Sequence, residues 1–364
     1  MVNVRLENAT KRFGNIIAVN KLNLDIKDGE FVCLLGPSGC GKTTTLRCIA
    51  GLDNFTEGNV YFDDEVVNHL PPQQRNVGMV FQFYVVYRMS VRENLAFPLE
   101  IKKLPRSEIE RKVKEIAEIL KIEHLLDIKA TKLGPADKQR VALGRALIKE
   151  PKVLLLDEPL TNLDAKLRAE MRIELKKLHE KLKTTTIYVT HDQIEAMSLG
   201  DRIAVMNLGV LQQYDTPYNL YYHPKNLFVA SFIGSPSMNF IDCSLVEKID
   251  GIYLDAGSFQ VKLMEEEGKY IKRNATSSEL ILGIRPEHVI VGIKPENLDG
   301  VYKAVVDLVE NLGDRYIIYL NSGGHIIRAL TYEKLLLNPG DKTCFSFDKN
   351  KIHVIDKKTE RVII

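Results

Sequence analysis

The chain has 364 residues, 45% of them hydrophobic and 27% charged, a globular composition that excludes a disordered chain and a single small module. Lys and Arg total 50 against 48 Asp and Glu, for a formal charge of +2; the strong positive excess of a dedicated nucleic-acid binder is missing, so partners are expected at local sites. The cysteines Cys33, Cys40, Cys48, Cys243 and Cys344 form no CxxC pair and are odd in number, which argues against a disulfide framework or zinc ribbon and for a reducing interior.

Taken in chain order, MVNVRLENATKRFG lacks the apolar core of a signal peptide, and no run approaches the ~18 apolar residues of a membrane span, so a soluble or peripheral chain is expected. Residues 1–35 alternate like strands and end in the continuous apolar run Phe31–Leu35, which predicts a strand buried on both faces. A Gly-rich loop then opens a helix. From Pro105, RSEIERKVKEIAEILKIEHLL places Ile109, Val113, Ile116, Ile119 and Leu120 at helical spacing, with Ser107 as the expected N-cap, in a mainly helical insert. KVLLLDEP and TTTIYVTHD predict two further buried strands, separated by a charged helical stretch. Strand, helix, strand with apolar strands implies a parallel sheet covered on both faces. After about Met238 short β-type runs divided by turn residues predict a separate, mostly β domain of barrel type.

The strongest chemical signal is Gly36-Pro37-Ser38-Gly39-Cys40-Gly41-Lys42-Thr43, placed after a buried strand and before a helix as a phosphate-binding loop requires. The glycines allow backbone N–H groups to turn inward around phosphates, the helix N-terminus adds positive potential, Lys42 supplies a mobile charge, and the Thr43 hydroxyl can ligate Mg2+. This predicts nucleoside triphosphate binding. The run Val153–Leu156 carries Asp157 to a strand end, where a carboxylate can hold Mg2+ through water, and Glu158 can orient or deprotonate an attacking water. Alone, such a run reads as an ordinary strand; the phosphate loop gives it meaning. His191 ends the next strand on the same side of the sheet, and spacing alone leaves it between a structural role and the γ-phosphate.

These motifs together resemble the nucleotide-binding subunit of an ATP-binding cassette (ABC) transporter of the sugar-importer type. The phosphate loop runs from Gly36 to Thr44, VGMVFQ ends at Gln82 like the family's Q-loop, Asp157 and Glu158 close the Walker B strand, Leu163-Asp164 resembles the D-loop, and His191 the switch histidine. The resemblance implies that Phe13 stacks on adenine, although by itself a Phe after a β-type run is more often core. Residues 211–240 and Gly283-Ile-Arg-Pro-Glu-His288 are similar to the junction and signature of a C-terminal regulatory domain. The implied architecture is an α/β P-loop NTPase cassette over 1–236, with a parallel sheet core, an antiparallel β subdomain and a helical subdomain at about 84–150. An OB-like regulatory domain spans 237–364. The implied activity is Mg-ATP hydrolysis driving sugar uptake, of the maltose/maltodextrin or multiple-sugar type. The subunit would work as a homodimer at the cytoplasmic face of the membrane, beneath two permease subunits fed by an external sugar-binding protein, with no nucleic acid. Glu158, His191 and Gln82 would be catalytic, and Thr43, Gln82 and Asp157 would hold Mg2+.

Two stretches depart from the family. Where it has Leu-Ser-Gly-Gly-Gln, this chain has Leu133-Gly134-Pro135-Ala136-Asp137. In the family this loop closes over the γ-phosphate held by the opposite subunit, so Gly134 and Ala136 would face nucleotide in trans. Gly134 lacks the hydroxyl, Pro135 lacks an N–H and Asp137 brings a negative charge, changes that could cost about 3 to 4 kcal/mol of transition-state stabilisation. Alternatively Asp137 simply caps the following helix. The segment after Gln82, FYVVYRMSVRENLAFPL, is one residue short with Arg88 where the family has Pro-His, which is either a variable loop or a partner-specific change. A hydrolysis-impaired cassette and a soluble ABC ATPase acting on nucleic acid or ribosomes are the alternatives; one cassette without extended heptads speaks against the latter.

Overall fold

The computed structural model describes residues 2–83, 85–292 and 300–364; Tyr84, in the segment after Gln82, lies outside them. The chain divides into two compact units, Met1–Pro217 and Tyr218–Ile364. The expected 236/237 boundary falls inside the second of these. Residues 218–236 are tied to the C-terminal β elements: Leu227 N–H donates to Glu360 O (2.8 Å), Val362 N–H to Lys225 O (3.1 Å), and the Arg285 guanidinium to Ile233 O (2.7 Å).

In the first unit β1 (Val4–Phe13) and β2 (Ile16–Ile26) form a hairpin whose alternation turns Val4, Leu6, Leu22, Leu24 and Ile26 inward. β3 (Phe31–Leu35) is buried at every position. After it come α1 (Lys42–Ala50), β4 (Glu57–Phe62), β5 (Glu65–Val66), α2 (Pro72–Arg75) and β6 (Val77–Val80). The helical insert consists of α3 (Val91–Ile101), α4 (Arg106–Leu120) and α5 (Pro135–Leu147). Beyond it lie β7 (Val153–Asp157), α6 (Ala165–Leu182), β8 (Thr185–Thr190), α7 (Gln193–Leu199), β9 (Arg202–Asn207) and β10 (Val210–Asp215).

An antiparallel sheet has the order β2-β1-β4-β5, and a second sheet the order β10-β9-β3-β8-β7-β6. In the second, every pairing from β9 to β6 is parallel and only β10 runs antiparallel. Parallel strands share one carboxyl edge, and the register pairs Leu35 with Thr190 and Asp157 with Val189. The loops after β3, β7 and β8 therefore leave the sheet side by side, where α/β sheets place their ligands.

Helix starts differ from expectation in two places. α4 begins at Arg106 with Pro105 as N-cap and no side-chain cap bond, so Ser107 lies inside the first turn. α5 has Gly134 as N-cap and Pro135 as its first residue. Asp137 therefore does not cap this helix; it sits in the first turn, where a carboxylate still complements the macrodipole.

From α8 (Pro217–Tyr222), whose first residue is the last of the first unit, the second unit continues with α9 (Leu227–Phe232), then β11 (Asn239–Lys248), β12 (Gly251–Asp255), β13 (Gln260–Lys262), α10 (Glu265–Asn274) and β14 (Glu279–Ile284). β15 (Val289–Val291), β16 (Val301–Asn311), β17 (Tyr316–Ser322), β18 (His325–Thr331), β19 (Lys342–Phe347) and β20 (His353–Asp356) complete it. They form two five-stranded sheets, β13-β12-β11-β14-β20 and β15-β19-β16-β17-β18, around a core in which Phe259, Tyr302, Phe345 and Phe347 meet at tilted and edge-on angles.

Candidate functional site

The loop between β3 and α1 is shaped by glycines that nothing larger can replace. A Cβ on Gly36 would lie 2.2 Å from Met206 O, and one on Gly41, at φ 98°, would lie 2.3 Å from Ala18 O. Gly41 is the N-cap of α1 and offers no side chain, so the first N–H groups of the helix stay open to an anion. Lys42 is buried, with Nζ donating to Gly36 O and Pro37 O at 2.8 Å each and lying 3.7 Å from Cys40 Sγ. Its charge thus sits inside the loop that Ser38 and Gly39 complete.

Thr43 Oγ1 donates to Asp157 Oδ1 at 2.9 Å, linking the start of α1 to the end of β7. Burial raises the Asp157 carboxyl above its ordinary pKa, an effect the Thr43 hydrogen bond opposes and neighbouring Glu158 reinforces. Among the described residues no three His, Cys, Asp or Glu side chains converge as a metal cage. The Thr43 hydroxyl and the Asp157 carboxylate are hard oxygen donors, a set that suits Mg2+ completed by phosphates and water.

Glu158 is where the predicted catalytic residues converge. Its Oε2 accepts from Gln82 Nε2 and from Thr161 Oγ1, each at 3.2 Å, and its Oε1 lies 3.3 Å from His191 Nδ1. Its backbone is in the left-handed region at φ 44°, held by the N–H bond to Val189 O at 3.0 Å. Non-glycine residues rarely adopt that conformation; it costs of order 1 to 3 kcal/mol, a strain that clusters at functional sites.

The neighbours of His191 are fixed from below. Glu195 on α7 is 3% exposed and accepts from Tyr188 OH (2.8 Å) and Thr190 Oγ1 (2.7 Å), while Thr190 Oγ1 accepts the Asp192 N–H at 2.9 Å. Burial raises the Glu195 carboxyl, and the hydroxyls of Thr190 and Tyr188 pull it back. Arg168 on α6 lies 3.5 Å from Asp192 and donates to Leu163 O at 3.1 Å, tying the residue after His191 to the loop that leaves β7.

The remaining predicted residues lie apart from this cluster. Phe13, at the end of β1, is 50% exposed with Lys11 Nζ 4.8 Å from its ring centre, so it is not a core residue. Asp164 serves as the N-cap of α6, accepting the Leu167 N–H at 3.0 Å. Thr44 comes after Thr43 in the first turn of α1. Among the described residues no hydrogen bond or ion pair joins Gly134 or Ala136 to the phosphate loop; the ion pair of this stretch is that of Asp137 with Arg140 (2.7 Å), which also holds Glu174 on α6 (3.0 Å).

Sequence reading did not single out Thr161, Asn162, Arg168 or Glu195. Asn162 Nδ2 donates to Gln82 O at 3.1 Å, holding the Q-loop residue against the turn after Glu158. Polar residues shortly after a strand-end Glu were a signal for Thr161 and Asn162. An isolated Glu in a helix reads as a solvated one, and Glu195 gave none.

Residues 19–161 match the ABC transporter family, 234–289 the MalK OB fold domain and 282–355 the TOBE domain. The chain is 48% identical, over all of both sequences, to the trehalose/maltose import ATP-binding protein MalK of Thermococcus litoralis. It is 44% identical, over 94% of each, to the oligosaccharides import ATP-binding protein MsmX of Bacillus subtilis. Among solved structures it resembles the ATP-binding cassette MJ0796, a dimer in a post-hydrolysis state bound to ADP and Pi, with a TM-score of 0.53 and 34% identity, over 59% of this chain and 98% of that one.

Proposed function

The chain belongs to the ABC transporter family as the ATP-binding subunit of an importer, and from that premise we propose how its residues hydrolyse ATP and what they serve. The observation that carries the mechanism is the convergence of Gln82, Thr161 and His191 on the carboxylate of Glu158, one residue beyond Asp157. The open N–H groups of the phosphate loop and the Lys42 ammonium hold the β- and γ-phosphates, and the exposed Phe13 ring stacks on adenine. Thr43, Asp157 through water, and Gln82 would hold Mg2+, which when bound neutralises charge on the phosphate oxygens. Glu158 takes a proton from the attacking water as its oxygen bonds to the γ-phosphorus and the bond to ADP breaks. His191, fixed by Thr190 and Asp192 on either side, orients Glu158 and the γ-phosphate.

Gly134 and Ala136 belong to the facing subunit's site in a homodimer. Two features support this: the stretch makes no hydrogen bond or ion pair with the phosphate loop of its own chain among the described residues, and the similar cassette MJ0796 is dimeric. No helix of the described residues is long and apolar enough to cross a membrane, so transport needs partner permeases. The subunit works at the cytoplasmic face, peripheral to the membrane, beneath two permease subunits. The exposed apolar side chains Phe81, Phe83, Val85 and Ile101 form the surface that meets them. The cargo is a sugar of the maltodextrin or multiple-sugar class, because the relatives are named for trehalose/maltose and oligosaccharides; the second unit is the regulatory domain.

In the Glu158→Gln variant, ATP should bind with unchanged affinity while steady-state Mg-ATPase activity falls more than about 100-fold. Unchanged turnover would remove Glu158 from the mechanism.

A further inference from the structure

The second unit contains a cavity of about 340 Å3 that the transport reading leaves without a role. The volume is within the range of small-molecule sites. Its walls come from α8, the stretch after β14, the turn before β20 and the last residues of the chain.

Positive charge predominates in its lining, where Arg285, Lys349 and Lys351 stand against one acidic side chain, Glu267. Arg285 is 2% exposed, yet its guanidinium touches no carboxylate: Nε and Nη2 donate to Tyr221 O at 3.0 and 2.5 Å, Nη1 donates to Ile233 O at 2.7 Å, and the plane lies 3.7 Å over the Tyr221 ring. Of the five N–H groups of a guanidinium, these bonds use three, so one each on Nη1 and Nη2 is left over among the described residues. Nearby Glu287 is engaged by the Tyr221 hydroxyl. Lys349 and Lys351 line the same cavity, the latter with Nζ 5.0 Å from the centre of the Tyr222 ring, and neither is in an ion pair among the described residues.

Imidazoles complete the wall. His223, His288 and His353 all line the cavity, and His288 Nε2 is buried with no hydrogen-bond partner among the described residues. Burial holds His353 down to about 4, with the charges of Arg285, His223 and His288 pushing the same way. These groups are therefore close enough to repel one another's protons. The one acidic side chain among the lining residues is Glu267.

A buried arginine with free N–H groups, two lysines outside any ion pair among the described residues and the nitrogens of the imidazoles together suit a dianion, and a phosphate matches the guanidinium fork. The cavity also has an organic wall, with the Tyr218 and Tyr222 rings tilted against each other (centroids 4.7 Å) alongside Ile352 and Ile363. We propose that this cavity binds a small phosphomonoester, its phosphate on Arg285, Lys349 and Lys351 and its organic part against Tyr218 and Tyr222.

The test is calorimetric titration of the full chain with glucose 6-phosphate, inorganic phosphate and glucose, with ADP saturating so that the nucleotide site is closed. Glucose 6-phosphate should bind saturably at one site per chain, at least about tenfold more tightly than inorganic phosphate, and glucose should not bind. The Lys349→Ala/Lys351→Ala variant should weaken binding by tenfold or more while ADP affinity and the thermal midpoint of the free protein stay unchanged. Lys351→Gln, which keeps a stem over Tyr222, should show a smaller loss. Absence of saturable binding, or binding indifferent to both variants, overturns the site. Equal affinity for the two phosphates overturns the ester and reduces the cavity to an inorganic anion site.

Discussion

Gly134 is the residue at which this chain departs most consequentially from the pattern its family resemblance implies. It caps α5 at φ −67° and ψ 168°, a conformation open to any L-residue, and a Cβ there would meet nothing within 4 Å. A serine therefore fits without rearrangement, and its oxygen would accept the N–H groups that the glycine leaves uncapped, for a few tenths of a kcal/mol. Its larger effect would be on rate, by restoring a hydroxyl donor to the facing γ-phosphate. Gly134→Ser should raise Mg-ATPase activity by about 10- to 100-fold at unchanged ATP affinity; an unchanged rate would mean that backbone N–H groups alone serve there. Asp137 is the lesser obstacle. Arg140 holds its carboxylate at 2.7 Å while also holding Glu174, so its negative charge is already paired.

At the scale of elements, the carboxylate of Asp356 at the end of β20 ties together the segment after α10 and the terminal turn. It is 1% exposed and accepts from the N–H and hydroxyl of Thr276 (2.6 and 2.7 Å) and of Thr359 (2.8 and 3.1 Å). Burial opposes its ionisation, but these bonds outweigh burial and hold its pKa well below the ordinary carboxylate range. A depressed carboxyl contributes stability above its unfolded pKa of about 3.9 and loses it as pH falls through the folded value. Asp356→Asn should therefore cost about 2 kcal/mol at pH 7, read as a lower denaturant midpoint for the second unit, and the gap to the parent should narrow below about pH 4. Elements of this kind were unevenly legible. β3, β7 and β8 are visible in the sequence because strands buried on both faces read as unbroken apolar runs. α10 was not, because one short helix among β runs shows only Glu265–Glu267 in its first turn and Lys272 and Arg273 in its last. The phosphate loop is contiguous in sequence and announced itself. The grip of Asn162 on Gln82 spans 80 residues and exists only once β6 and β7 pair.

For the whole molecule, the decisive question is whether one chain can complete a catalytic site. Lys42, Thr43, Asp157, Glu158 and His191 gather at the carboxyl edge of one sheet because β3, β7 and β8 are neighbours there. In the stretch 133–137, Asp137 is linked through Arg140 to Glu174 on α6, and the stretch makes no hydrogen bond or ion pair with that edge among the described residues. On the reading proposed above this stretch acts on the site of a second copy, and a site shared between copies makes rate depend on association. Specific Mg-ATPase activity should then rise with protein concentration and level off once dimers predominate, with ATP shifting the rise to lower concentration because it binds the closed pair more tightly than the separate chains. A mixture of Lys42→Ala and Glu158→Gln chains, each impaired in its own phosphate site, should stay inactive, since each mixed dimer carries one defect per site. Specific activity independent of concentration across the range where sedimentation shows monomers giving way to dimers would place the whole reaction within one chain, and Gly134 would then have no part in it.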